Sequence, residues 1–367
     1  LPVVNITVEG TATAVQAATI LGASNSGTTT LSAVTGTAAQ ILALPIASND
    51  TITTVTVTGT ATAQQALDIA TLDALTGVGT VTIAAVSDTA LALSGATNAA
   101  LDLVTGTVTA TTAATSAQAT ALQAFTEAVV YSVSDTGANV VAQIATNTNN
   151  NFLDDAVAVT LTGTSTVAQA TDAEAATNSG TTTVEAIEDT AALLAGSSNA
   201  VLNLVSGTVT ASTAANAAEA TTLQGFTEAV VYSVSDTAAA IAAQITTNTN
   251  DSFLDDAVNI TATGTGVANA ADVSGANAIL GAANSGTKTI EEVRDTADQA
   301  ALLSVGANET VSLLTVTDGA EDSEAVAIHA LIGNGVTTAS FSIEDTGTNV
   351  AALTSGVLGS AENITTT

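Results

Sequence analysis

The chain has 367 residues, 46 % of them apolar, and carries 34 acidic side chains against only two basic ones, Lys288 and Arg294, for a net charge of −32. So acidic a chain repels nucleic acid and anionic membrane surfaces, while a charged fraction of only 10 % excludes a disordered polyelectrolyte. The absence of Cys removes disulfides, Cys-ligated zinc and thiol nucleophiles, and no apolar run reaches the roughly 18 residues a membrane span needs.

The first element reads as a strand, NITVEGTAT around Gly10. Its alternation of Val or Ile with Thr is the period of an extended chain, and the glycine marks a bulge or a tight exit. An Ala-rich segment follows, Ala14–Leu21, with apolar residues at three- and four-residue spacing, the signature of a helix. The triplet Asn25–Gly27 then supplies a left-handed residue to close it; Asn178–Gly180 and Asn284–Gly286 repeat the signal. A second strand ends at Thr35-Gly36-Thr37. The strand around Gly59 and the helix Ala63–Leu72 repeat the opening, and further strand–glycine units surround Gly106, Gly163, Gly207, Gly264 and Gly319. The alternate strands end in Asp-Thr at Asp88, Asp135, Asp189, Asp236, Asp295 and Asp345, each before another Ala- and Leu-rich segment such as Ala238–Ile245. An Asp there reads as a helix N-cap, accepting backbone N–H groups that the first turn leaves unpaired.

The pattern is periodic. The stretch Asp88–Val157 returns at Asp189–Val258 with an offset of 101, and a fixed period marks a stacked or arrayed architecture. The expected fold is therefore an α/β repeat protein: an elongated, solenoid-like array of about seven β-α-β-α repeats with parallel strands, each β-α half of about 25 residues forming one coil. The alternative is a string of tandem small α/β domains. The repeats divide at 1–53, 54–103, 104–156, 157–204, 205–257, 258–314 and 315–367. The opening at Leu1 without Met reads as a processed product or a fragment, and NITTT at Asn363–Thr367 reads as the start of another repeat.

Catalysis finds little support. The single His, His329, sits in the apolar AVAIHALIG and reads as an ordinary helical residue; no G-x-S-x-G elbow, P-loop or dinucleotide fingerprint accompanies it. The chain is read as a non-enzyme. Calcium is the candidate cofactor. Asn147, Asn149, Asn151, Asp154 and Asp155, with Asn248, Asn250, Asp251, Asp255 and Asp256 in the second copy, place hard oxygen ligands close together. The competing reading of the same residues is an Asx-rich turn followed by a helix cap. Asp318, Glu321, Asp322 and Glu324 read as a solvated loop and helix start. Asn5, Asn49, Asn250, Asn259, Asn308 and Asn363 begin N-x-Ser/Thr triplets.

The YSVSDTAAAIAAQI pattern, the TVTGTAT strands and the NSGTTT turns together resemble the Ala/Thr/Val-rich, acidic, Cys-free repeats of very large bacterial cell-surface proteins. These serve as surface layers, adhesin stalks or extracellular filaments. The resemblance implies an extracellular, self-associating protein of the bacterial cell surface, often calcium-stabilised, although the Gly-rich calcium nonapeptides of such proteins are missing. The expected function is a structural protein that self-assembles into a filament or surface lattice through repeat contacts and terminal strands, Val3, Val4, Ile6 and Val8 at one end and Asn363, Ile364 and Thr365 at the other. The alternative is the stalk of a large adhesin. The expected partners are copies of itself, with divalent cations and surface polysaccharide as further candidates, and neither nucleic acid nor a membrane interior.

Overall fold

The structure is a computed structural model, and it describes residues 3–24, 26–249 and 251–367. Strands and helices alternate along the chain, and all strand pairing between named strands is parallel. The first sheet contains β1 (Ile6–Thr13), β2 (Thr29–Gly36), β3 (Asp50–Ala61), β4 (Val78–Asp88), β5 (Val108–Ala110) and β6 (Val129–Val130), in that spatial order. The second contains β7 (Val133–Thr136), β8 (Val159–Ser165), β9 (Thr182–Asp189), β10 (Val209–Ala211) and β11 (Val230–Val231), again in chain order. The third runs from β12 (Val234–Thr237) through β13 (Ile260–Thr263), β14 (Lys288–Asp295), β15 (Glu309–Ala320) and β16 (Val336–Asp345) to β17 (Asn363–Thr366). Within each sheet, each strand thus pairs with the next in sequence. Register partners lie as close as Thr29 and Asp50 and as far as Ile260 and Lys288, so one strand, its helix and the connections take 21 to 28 residues. That spacing is compatible with the expected β-α half of about 25 residues.

The chain falls into two compact units, one up to Glu185 and the other Ala186–Thr367. The division lies inside β9. Within the first unit, β6 and β7 are a single stretch interrupted at Tyr131 and Ser132; within the second, β11 and β12 are interrupted at Tyr232 and Ser233. The sequence reading took each as one strand.

The core of each unit follows from the side chains. One face of the strands contributes branched residues, such as Leu31, Val34, Ile52, Val55 and Ile83 in the first unit and Ile260, Ile290, Val293 and Leu314 in the second. The helices contribute mainly alanine, with Ala17, Ala66 and Ala119 wholly buried. Methyl-sized knobs let a short helix lie close to the sheet, and branched side chains fill the pleated surface opposite.

The bulge expected at the first glycines is present. The pairing of β1 with β2 shifts between Val8 and Thr11, and that of β3 with β4 between Val57 and Thr60. Gly10 and Gly59 lie there with φ of 83° and 75°, a backbone that side-chain-bearing residues rarely adopt. The other glycine expectation is corrected. The described helices before the Asn-x-Gly triplets end without a left-handed glycine, and Gly27, Gly180 and Gly286 do not have positive φ. A Cβ on Gly180 would sit 1.8 Å from the Val157 carbonyl oxygen, and one on Gly286 1.7 Å from that of Val258. These glycines exist so that neighbouring backbones can touch. Asn25 lies outside the described residues.

Candidate functional site

The helix starts carry a regular set of contacts between successive strand–helix units. The N-cap of the helix Ala90–Ser94 is Thr89, and Thr136, Thr190, Thr237, Thr296 and Thr346 occupy the same place after their Asp. The capping role expected of Asp88, Asp135, Asp189, Asp236, Asp295 and Asp345 therefore moves one residue on. Each Asp takes the N–H of the following Thr on Oδ1, at 2.6 to 2.9 Å. The second oxygen reaches the start of an earlier helix. Oδ2 of Asp88 accepts the first helical N–H, that of Ala63, at 3.0 Å. Asp135 does so for Ser116, Asp236 for Ala217, Asp295 for Val273 and Asp345 for Asp322, at 2.9 to 3.1 Å. Thr112, Thr213 and Asp318 fill the same position for Ala90, Ala191 and Ala297. The carboxylate thus ties its own strand end to an earlier helix and places negative charge at a helix N-terminus, where it is favoured.

The electrostatics agree with this geometry. At Asp135, burial by itself raises the pKa. The Asn139 amide, the backbone N–H groups of Ser116 and Thr136 and the Ser116 hydroxyl together outweigh it, and the carboxyl ends below its usual range. Asp345 is likewise lowered, first by the N–H of Asp322 and then by that of Thr346.

A second capping device escaped the sequence reading although its signal was present. Thr13 and Gln16 form a reciprocal capping box, and so do Thr37 with Gln40, Thr62 with Gln65, Thr115 with Gln118, and Thr166 with Gln169. The spacing T-x-x-Q was the legible clue.

The Asn/Asp loops expected to hold calcium are tied up internally. Asn147 donates its amide to Thr120 Oγ1 at 3.2 Å, and Asn248 to Thr221 Oγ1 at 3.1 Å. Asn149 bonds the Asn147 carbonyl and receives the Asn151 N–H. Asp154 accepts the N–H of Thr177 at 2.7 Å, and Asp255 that of Ala283 at 2.6 Å. Thr148 and Thr249 take the left-handed turn. Asp251 precedes the helix Ser252–Asp255, Asp155 and Asp256 are exposed, and Asn250 lies outside the described residues. Among the described residues no group of three or more Asp, Glu, His or Cys side chains is placed to hold a metal ion. Asn149 forms a local turn through its bonds to Asn147 and Asn151, while Asn150 and Asp251, at the starts of the helices Asn151–Asp154 and Ser252–Asp255, make no side-chain capping bond.

The acidic cluster is partly structural. Asp318 and Asp322 belong to the helix-start contacts above, and Glu324 accepts the Glu321 N–H at 2.9 Å. Burial, and next a hydrogen bond shared with Asp298, raises the Glu324 pKa. His329 Nδ1 lies 2.7 Å from Ser360 Oγ, whose proton goes to the Gly356 carbonyl at 2.8 Å. Both basic residues are engaged: the buried Lys288 Nζ donates to the carbonyls of Leu280 and Ala282 and pairs with Glu309 at 3.0 Å, and Arg294 pairs with Glu292 at 3.6 Å.

The expected assembly strands occupy edges. Each of β1 and β17 pairs with one strand among the described residues, β2 and β16 respectively. Val3 and Val4 precede β1 and are exposed; Ile6 and Val8 lie within it, half-buried. Asn363, Ile364 and Thr365 belong to β17, all four of whose side chains are exposed. No known protein family matches the chain, and no curated protein matches it either.

Proposed function

We propose that this chain is building material of the cell exterior, a repeat protein whose coils stack as a solenoid and whose copies join into a filament or surface lattice. The observation that carries this reading is the strand order: every sheet follows the chain without a crossover, and the outermost strands β1 and β17 each retain an edge without a partner among the described residues. Unpaired parallel edges accept further strands. Ile364, 45 % exposed in β17, is an apolar side chain for which another strand would provide cover; its sequence equivalent Ile260 is wholly buried. Head-to-tail contacts of this kind generate open polymers when the rotation between copies does not close a ring. The net charge of −32 opposes lateral clumping of such polymers.

The test is sedimentation and negative-stain imaging of the purified chain beside a variant carrying Val8→Lys and Ile364→Lys. Polymers from the unaltered chain and dispersed particles from the variant support the proposal. A unaltered chain that stays monomeric at high concentration and 0.15 M salt overturns it.

A further inference from the structure

The two near-copies each contain a cavity, of about 300 Å³ in the first unit and about 270 Å³ in the second, at the small end of ligand-site sizes. The first is lined by Gln123, Phe125, Glu127, Tyr131 and Asp155 among others; the second has the counterparts Gln224, Phe226, Glu228, Tyr232 and Asp256. The cavities are rigidly built. Tyr131 donates its hydroxyl to the Phe152 carbonyl at 3.0 Å, and Tyr232 to that of Phe253 at 2.9 Å. Asn98 and Asn199 each receive the N–H of the lining threonine, Thr126 or Thr227, at 2.8 Å.

The copies have diverged around them. Between Asp88–Val157 and Asp189–Val258, 21 of 70 aligned positions differ, yet all nine lining positions are identical. Packing alone does not require this, because three of the lining side chains, Gln123, Thr126 and Asp155, are exposed. The carboxylates of Glu127 and Asp155 have no hydrogen-bond or ion-pair partner among the described residues, and neither do those of Glu228 and Asp256. The chain's two cations are spent elsewhere, on Glu309 and Glu292.

We propose that each cavity binds an organic cation, an alkylammonium or guanidinium group supplied by another molecule. Two carboxylates meet its charge, and the half-buried ring of Phe125 offers aromatic surface to its stem or its plane, while Tyr131, only 1 % exposed, forms part of the wall. A hard divalent ion fits poorly, since it needs six or more oxygens and the rings supply none.

The chain contains no Trp, and Tyr131 and Tyr232 are its only tyrosines. Tyrosine fluorescence therefore reads these two cavities and nothing else. The experiment titrates the intact chain with agmatine, with calcium chloride and sodium chloride at matched ionic strength, and with glucose. A saturable change with agmatine alone, and two agmatine molecules per chain by equilibrium dialysis, are expected. Glu127→Gln with Glu228→Gln should weaken binding at least tenfold while leaving the far-ultraviolet circular dichroism unchanged. Phe125→Leu with Phe226→Leu provides an independent check, with a loss of at least threefold. A linear agmatine response equal to that of sodium chloride, equal saturation by calcium or glucose, or a stoichiometry other than two overturns the proposal.

Discussion

Asp135 offers the sharpest test of how successive strand–helix units are held together. Its carboxylate accepts four hydrogen bonds: the Ser116 N–H at 2.9 Å and hydroxyl at 3.0 Å, the Thr136 N–H at 2.8 Å and the Asn139 amide at 2.7 Å. Asp135→Ala removes all four and leaves the first helical N–H of Ser116 without its partner. A lost cap costs about 1 kcal/mol, and hydrogen bonds to a charged group contribute about 1.5–3 kcal/mol each when buried. Asp135 is half-exposed, so water replaces part of the loss, and the expected destabilisation is about 2–3 kcal/mol. Asp135→Asn keeps one carbonyl oxygen but turns the other acceptor into a donor facing an N–H, so about half of that cost remains. The assay is urea unfolding combined with hydrogen exchange of the peptide containing Ser116, since a long repeat chain need not unfold in one step. The pH dependence has a fixed sign. The folded pKa of Asp135 is depressed, so its stabilisation is present above the unfolded value of about 3.9 and is lost as pH falls through the folded pKa. The gap between the unaltered chain and Asp135→Asn should therefore close in acid. An Asp135→Ala cost under about 0.5 kcal/mol, the level of an ordinary surface change, with unaltered exchange at Ser116, would refute the reasoning.

Further outcomes follow from other sites. Gly286→Ala forces a Cβ against the Val258 carbonyl, and should cost over about 2 kcal/mol by thermal unfolding. Gly59→Ala meets open space and carries only the positive-φ penalty of about 1 kcal/mol. Lys288→Met strands Glu309 and two helix-end carbonyls, at a cost of about 3 kcal/mol; in the unaltered chain, Lys288 should resist amine-reactive reagents until the fold opens. Glu324 has a raised folded pKa, so its ionisation opposes folding as pH rises past its unfolded value. Glu324→Gln should raise the melting temperature slightly at pH 7 and leave it unchanged near pH 3.

Much of the fold was legible because the side chains repeat with two clean periods. Val and Ile alternating with Thr announced β3, and Ala with Leu at helical spacing announced Ala63–Asp73. The coil length followed from the spacing of those signals. What the sequence concealed was the direction of single side chains. Asp88 and Thr89 are both good caps, and only the stacking of β4 beside β3 decides that Thr89 serves its own helix while Asp88 serves the helix starting at Ala63. Gly27, Gly180 and Gly286 read as helix ends because glycine permits that conformation, whereas their actual constraint is a carbonyl from the neighbouring coil, invisible to local pattern. The cavity residues are separated in sequence, with Asp155 distant from Phe125 and Tyr131, and they converge only after the coils stack. Their sole sequence trace is that both copies keep them unchanged.

The account rests on parallel coils adding to one another, within a chain and between chains. Cryo-electron microscopy of the concentrated, unaltered chain tests this most directly. It should reveal open filaments or sheets in which strands succeed one another about every 4.7–4.9 Å along one axis, with β17 of one copy beside β1 of the next. Dispersed single copies, or contacts made by helix faces with both edge strands left bare, would contradict it.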